Sequence, residues 1–145
     1  MNDFDTQLEI MQPQLDRSVE IPMASSGVSA GFPSPADDYR GLKLDLNREL
    51  ISNPASTFFA RVSGVSMVDS GVDDGDLLVI DKSVTPYNGC LAICYVDGEF
   101  TVKRYENHGD YALLIPSNAN YQPLRVTPDD DFRIWGVVRY VIKKV

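Results

Sequence analysis

The dipeptide Asp97-Gly98 lies between the apolar run Cys90-Leu91-Ala92-Ile93-Cys94-Tyr95-Val96 and the strand-like run Glu99-Phe100-Thr101-Val102-Lys103-Arg104-Tyr105. A two-residue turn between right-twisted strands requires left-handed backbone values, which glycine adopts freely and aspartate tolerates, so the dipeptide predicts a tight hairpin. Cys90–Val96 is therefore paired with Glu99–Tyr105. Other runs rich in β-branched and aromatic residues follow the same logic: Thr57–Val62, Leu77–Ile80, Tyr111–Ile115 after the turn Asn107-His108-Gly109-Asp110, and Phe132–Ile142 as one long strand or two broken at Gly136. The expected fold is mostly β, a curled antiparallel β domain of six or seven short strands.

Ahead of it the pattern changes. Residues 1–41 carry little periodicity and read as a flexible N-terminal arm, with residues 42–145 as the β-rich domain. Leu8, Ile10, Met11 and Leu15 hint at a short helical face that Pro13 interrupts. Small residues from Ala24 to Gly31, followed by Pro33 and Pro35, suggest a mobile segment that stiffens after Phe32. Asp45 to Ile51 is expected as a short helix capped by Asp45 and ended before Pro54. The arm holds too little periodic sequence for a three-helix DNA-reading module.

The net charge of −8 opposes sequence-independent binding to nucleic acid or an anionic membrane, since both demand a surplus of Lys and Arg. Partners are therefore expected to be proteins. Cys90 and Cys94 are four apart on one strand and read as two buried thiols on one face, not a metal or redox pair, which suits a reducing cytoplasm. Neither a membrane-spanning run nor a signal core is recognised, giving an expected cytoplasmic location. The turn Asp69-Ser70-Gly71-Val72-Asp73-Asp74-Gly75-Asp76 fails the calcium-loop spacing and reads as a solvated turn. No metal or other cofactor is expected.

The segment Arg61-Val62-Ser63-Gly64-Val65-Ser66-Met67 breaks a strand at a glycine and presents Ser66 where its hydroxyl could meet free backbone N–H groups. Val68 rules out a G-x-S-x-G elbow. A serine nucleophile needs a base, and His108, the one histidine, sits in a polar turn where a solvated side chain is the ordinary outcome. A lysine can serve if it is neutral, and moving its pKa from about 10.4 to near 7 costs roughly 4–5 kcal/mol, so it needs apolar walls. Lys103 lies in the strand paired with the most apolar run. Strict alternation, however, puts Phe100 and Val102 on one face and Thr101, Lys103 and Tyr105 on the other, so periodicity alone turns Lys103 toward solvent. Lys82 ends its strand beside a turn and is the weaker candidate.

In order, Ala30-Gly31-Phe32-Pro33-Ser34-Pro35, Ser63-Gly64-Val65-Ser66-Met67, Asp74-Gly75-Asp76-Leu77-Leu78-Val79 and Gly98-Glu99-Phe100-Thr101-Val102-Lys103-Arg104 resemble the cleavage site, nucleophile, following strand and lysine segment of the LexA/UmuD family of serine-lysine self-cleaving peptidases. The resemblance runs from about Ala30 to Val141. It implies that Ser66 attacks the Ala30 carbonyl, that neutral Lys103 moves the proton, and that backbone N–H groups of Ser66 and Met67 hold the oxyanion. It further implies a homodimer whose cleavage is stimulated by a RecA filament on single-stranded DNA in the SOS response to DNA damage. The product would be an accessory subunit of an error-prone Y-family translesion polymerase. Other members carry cysteine where Ala30 stands. Two alternatives are a non-catalytic polymerase-binding module of the same fold and a type I signal peptidase, which would need a membrane anchor.

Overall fold

The computed structural model describes residues 7–16, 20–22, 43–64, 71–116, 120 and 122–145. In chain order the elements are β1 (Gln7–Met11), β2 (Glu20–Pro22), β3 (Lys43–Asp45), α1 (Leu46–Leu50), β4 (Thr57–Ser63), β5 (Leu77–Asp81), β6 (Leu91–Val96), β7 (Glu99–Asn107), β8 (Ala112–Ile115), β9 (Leu124–Val126) and β10 (Phe132–Ile142). Contacts separate residues 14–54 from a larger unit of residues 1–13 and 55–145.

In the smaller unit β2 and β3 pair antiparallel, with Ile21 opposite Leu44. The helix α1 starts where the sequence places it. The Asp45 carboxylate accepts a hydrogen bond from the Asn47 backbone N–H at 3.1 Å, satisfying one of the donors that a helix start leaves open.

The larger unit is one antiparallel sheet in the order β1-β4-β5-β10-β6-β7-β8-β9. The hairpin forms as expected: Asp97 (φ 50°) and Gly98 (φ 86°) both take left-handed values, and Val96 faces Glu99 across the turn. The backbone N–H of Tyr105 donates to the Cys90 carbonyl at 3.0 Å, extending the pairing to the far end of both runs. Gln7–Met11 is a strand, not the beginning of a helix, and pairs residue for residue with Ser63 back to Phe59. Leu8 and Ile10, two apart, both pack against the core, so the spacing that hinted at a helical face is an alternation cut short by Pro13. The short β9 carries a charge at Arg125 and follows Pro123, which left it without a strand signal.

The sheet curls into a half-barrel in which β1 comes near β7. Inside the curl, Val62, Leu78, Ile80, Ile93, Val102 and Val138 form one buried cluster. On the opposite face Cys90, Ala92, Cys94, Leu114, Val126 and Val137 form a second. Both cysteines are free and buried, as the sequence suggested, and burial together with the neighbouring Cys90 pushes the Cys94 thiol pKa upward. Alternation survives, but the central strands are buried on both faces. Strand β10 is continuous through Gly136, with a bulge between Ile134 and Gly136 and another irregularity between Val138 and Tyr140.

Candidate active site

The hairpin that fixes the fold also fixes Lys103. On β7 it lies directly opposite Ala92 of β6, and directly opposed residues of an antiparallel pair project to the same face. That face carries the second core cluster, so Lys103 is only 2% exposed. Alternation does turn Lys103 away from Val102, but the second face of the sheet is covered too, so that turn does not bring Lys103 to solvent. Burial lowers its pKa from 10.5 to about 8, because the ammonium form is the one that loses hydration. The neutral amine is therefore far more accessible near neutral pH than in a solvated lysine. Such an amine can accept a proton, which a solvated lysine at neutral pH cannot do to any useful extent.

The same shift affects stability. The folded-state pKa lies below the unfolded one, so the unfolded chain binds the extra proton between about pH 8 and 10.5 and stability from this group rises across that window. Below pH 8 the folded state carries the full penalty of a buried cation. Lys103→Met, which keeps most of the side-chain length and removes the charge, is expected to stabilise the protein by about 3 kcal/mol at pH 7 in urea unfolding, and by progressively less toward pH 10.5.

Ser66, Met67, Ala30 and Gly31 lie outside the described residues; both ends of the segment that carries Ser66 are described. On the upstream side Val62 of β4 continues the pairing past the start of β5: its N–H donates to the Asp76 carbonyl at 2.9 Å and its carbonyl accepts from the Gly75 N–H at 2.8 Å. The Gly64 N–H donates to Asp74 Oδ1 at 3.1 Å, and Arg61 Nη1 donates to the Gly75 carbonyl at 3.0 Å. On the downstream side Val72 is buried in the inner cluster. The acidic turn is not uniformly solvated: Asp73 and Asp74 are exposed, but Asp76 is buried. Its Oδ2 accepts from the Asp73 N–H at 2.7 Å and from Lys143 Nζ, which also donates to Asp73 Oδ2 at 2.7 Å. Both carboxylates raise the Lys143 pKa by hydrogen bonding.

Sequence reasoning missed Lys143 and Asp76. Asp76 precedes β5 and Lys143 follows β10, and only the pairing of these two strands, with Ile142 opposite Leu77, brings them together. No local pattern signals that. His108 is exposed, stacks on Tyr111 with ring centroids 5.0 Å apart and has Nε2 3.0 Å from Glu106 Oε1, in keeping with a surface turn. Lys82 is also exposed and sits over the rings of Trp135, at 4.9 Å, and Phe58, at 5.6 Å. Among the described residues, no helix is long and apolar enough to cross a membrane.

The pattern of the Peptidase S24-like family matches residues 22–139. The chain is 42% identical to Protein ImpA of Salmonella typhimurium over 138 residues, covering 91% of this chain and 90% of that one. It is 45% identical to Protein SamA of Salmonella typhimurium over 123 residues, 85% of each. LexA repressor 2 of Pseudomonas syringae is 35% identical over 126 residues, which are 87% of this chain and 61% of the repressor. A half-barrel that buries a lysine on its hairpin strand and matches such relatives over most of its length places the chain in the Peptidase S24-like family of serine peptidases, among its UmuD-like members.

Proposed function

We propose that the protein is a self-cleaving serine-lysine peptidase that cuts its own chain between Ala30 and Gly31. The observation that carries this reading is the burial of Lys103, which supplies a partly neutral amine at physiological pH. In the reaction, the Ser66 hydroxyl adds to the Ala30 carbonyl while Lys103 takes its proton. Backbone N–H groups of Ser66 and Met67 hold the resulting oxyanion. As the tetrahedral intermediate collapses, the Ala30–Gly31 C–N bond breaks and the lysine ammonium protonates the leaving amine of Gly31. Water, deprotonated by the same amine, then hydrolyses the Ser66–Ala30 ester. Ala30 and Gly31 are small enough to enter a crowded site, and Pro33 limits the conformations lost on docking. The thirty-four residues between Gly31 and Ser66, at about 3.3 Å each when extended, leave both cis and trans cleavage open.

A UmuD-like chain related to a LexA repressor fits an SOS-response protein. In this reading it works in the cytoplasm as a homodimer. Its cleavage would be stimulated by a RecA filament on single-stranded DNA, and its shortened form would serve a Y-family translesion polymerase. The excess of acidic residues favours protein partners over direct contact with nucleic acid. Incubation of the purified protein at pH 9–10 is expected to yield a fragment whose N-terminus is Gly31, identified by mass spectrometry and absent from Ser66→Ala. An intact chain after prolonged incubation would instead favour a polymerase-binding module without chemistry.

A further inference from the structure

We propose that Lys143 and Asp76 are positioning residues for self-cleavage, acting as an electrostatic clamp on the segment that carries Ser66. The inference rests on the self-cleavage reading. In sequence, Ser66 falls between two anchored stretches, Arg61–Gly64 and Gly71–Asp76. The upstream stretch is held by backbone bonds of Val62 to Gly75 and Asp76 and by the Gly64 N–H on Asp74. Arg61–Ser63 are held by the ladders with β1 and β5 as well, but the Gly64 N–H, at the edge of the Ser66 segment, rests on Asp74, and the downstream stretch Gly71–Asp76 is the turn itself, so the last upstream contact and the whole downstream anchor depend on that turn.

The turn in turn depends on one carboxylate. Asp76 is 5% exposed, and a carboxylate that is nearly out of water requires donors or a counter-charge. It receives the Asp73 N–H from within the turn and the Lys143 ammonium from the end of β10. Lys143 reaches Asp73 as well, so one cation ties two carboxylates of the turn to a strand in the middle of the sheet. The surrounding charges are Asp74, engaged by Gly64, and Arg61, engaged by the Gly75 carbonyl, and neither replaces Lys143. Without the ammonium, Asp76 keeps only the Asp73 N–H as a donor, and a buried carboxylate that has lost its counter-charge is drawn toward water, which loosens the turn that holds Gly64 and the downstream stretch. Misplacement of a nucleophile by about 1 Å can cost on the order of 10²-fold in rate.

The test is the first-order rate of Gly31 fragment formation in full-length protein at pH 9, with thermal unfolding of each variant as a fold control. Lys143→Met is expected to cut the wild-type rate about tenfold or more, with the midpoint of its pH profile still near 8 because Lys103 is untouched. Lys143→Arg, which keeps the charge, should stay within about twofold of wild type. Adding Asp76→Asn to Lys143→Met should recover most of the loss, since a neutral amide needs no counter-charge. That recovery separates positioning from simple loss of structure. A Lys143→Met rate within twofold of wild type, or a loss that the second substitution fails to repair, overturns the proposal. If the wild type itself stays intact, the self-cleavage reading falls first, and the two failures are thereby distinguished.

Discussion

Lys103→Ala is expected to slow release of the fragment beginning at Gly31 by roughly 10³-fold or more, leaving only what oxyanion contacts and proximity supply. The Ser66 hydroxyl is a weak nucleophile until something removes its proton, and in this reading nothing else at the site does so. Lys103→Arg should be as inactive, because a guanidinium with a pKa above about 12 stays protonated and has no lone pair to offer. That pairing of variants distinguishes a base from a mere positive charge. In the wild type the rate should climb about tenfold per pH unit below pH 8, pass its midpoint near 8 and level off above about 9, as the ammonium of Lys103 loses its proton. Fragment formation followed on gels across that range, with circular dichroism to confirm folding, measures both. Trimming of Lys103→Ala at the wild-type rate would end the case for this lysine.

The second large effect concerns Gly136. A Cβ built there would sit 2.5 Å from Ile80 Cγ2, well inside contact distance, and Ile80 is fully buried in the inner cluster. The isoleucine shares its buried cluster with Val62, Leu78 and Val138, so moving it aside disturbs them. Gly136→Ala should therefore destabilise the fold by about 3 kcal/mol, the upper end of what overpacking by one methyl costs. Ile80→Leu removes the β-branched methyl that the new Cβ would strike, so the double variant should be more stable than the sum of the single changes implies. Urea unfolding of the four proteins checks this, and strict additivity would show that the clash is relieved elsewhere.

How much of this was written in the sequence depends on how local each determinant is. Asp97-Gly98 fixed its hairpin and Asp45 capped α1, because turn and cap chemistry act over two or three residues. Cys90 and Cys94 were legible as buried thiols for the same reason. Lys103 was harder. Alternation gives the face a residue occupies and cannot say whether that face is wet, and here the curl of the sheet buries both faces of β6 and β7. Gln7–Met11 was misread because its partner, β4, lies more than forty residues away and Pro13 truncates the pattern. Asp76 and Lys143 were invisible for the most general reason. Their proximity is created by β10 inserting between β5 and β6, a crossover that no window of neighbouring residues contains.

The edge position of β1 carries a consequence for what a cut after residue 30 leaves behind. Gln7–Met11 would then belong to a separate leader peptide, held without a covalent link by its ladder with β4, by the side chains of Leu8 and Ile10, and by the pairing of β2 with β3. Severing the backbone does not eject such a peptide. It converts a tethered strand into a ligand with an off-rate, open to dilution and to competition from any other extended segment able to zip onto the vacated rim.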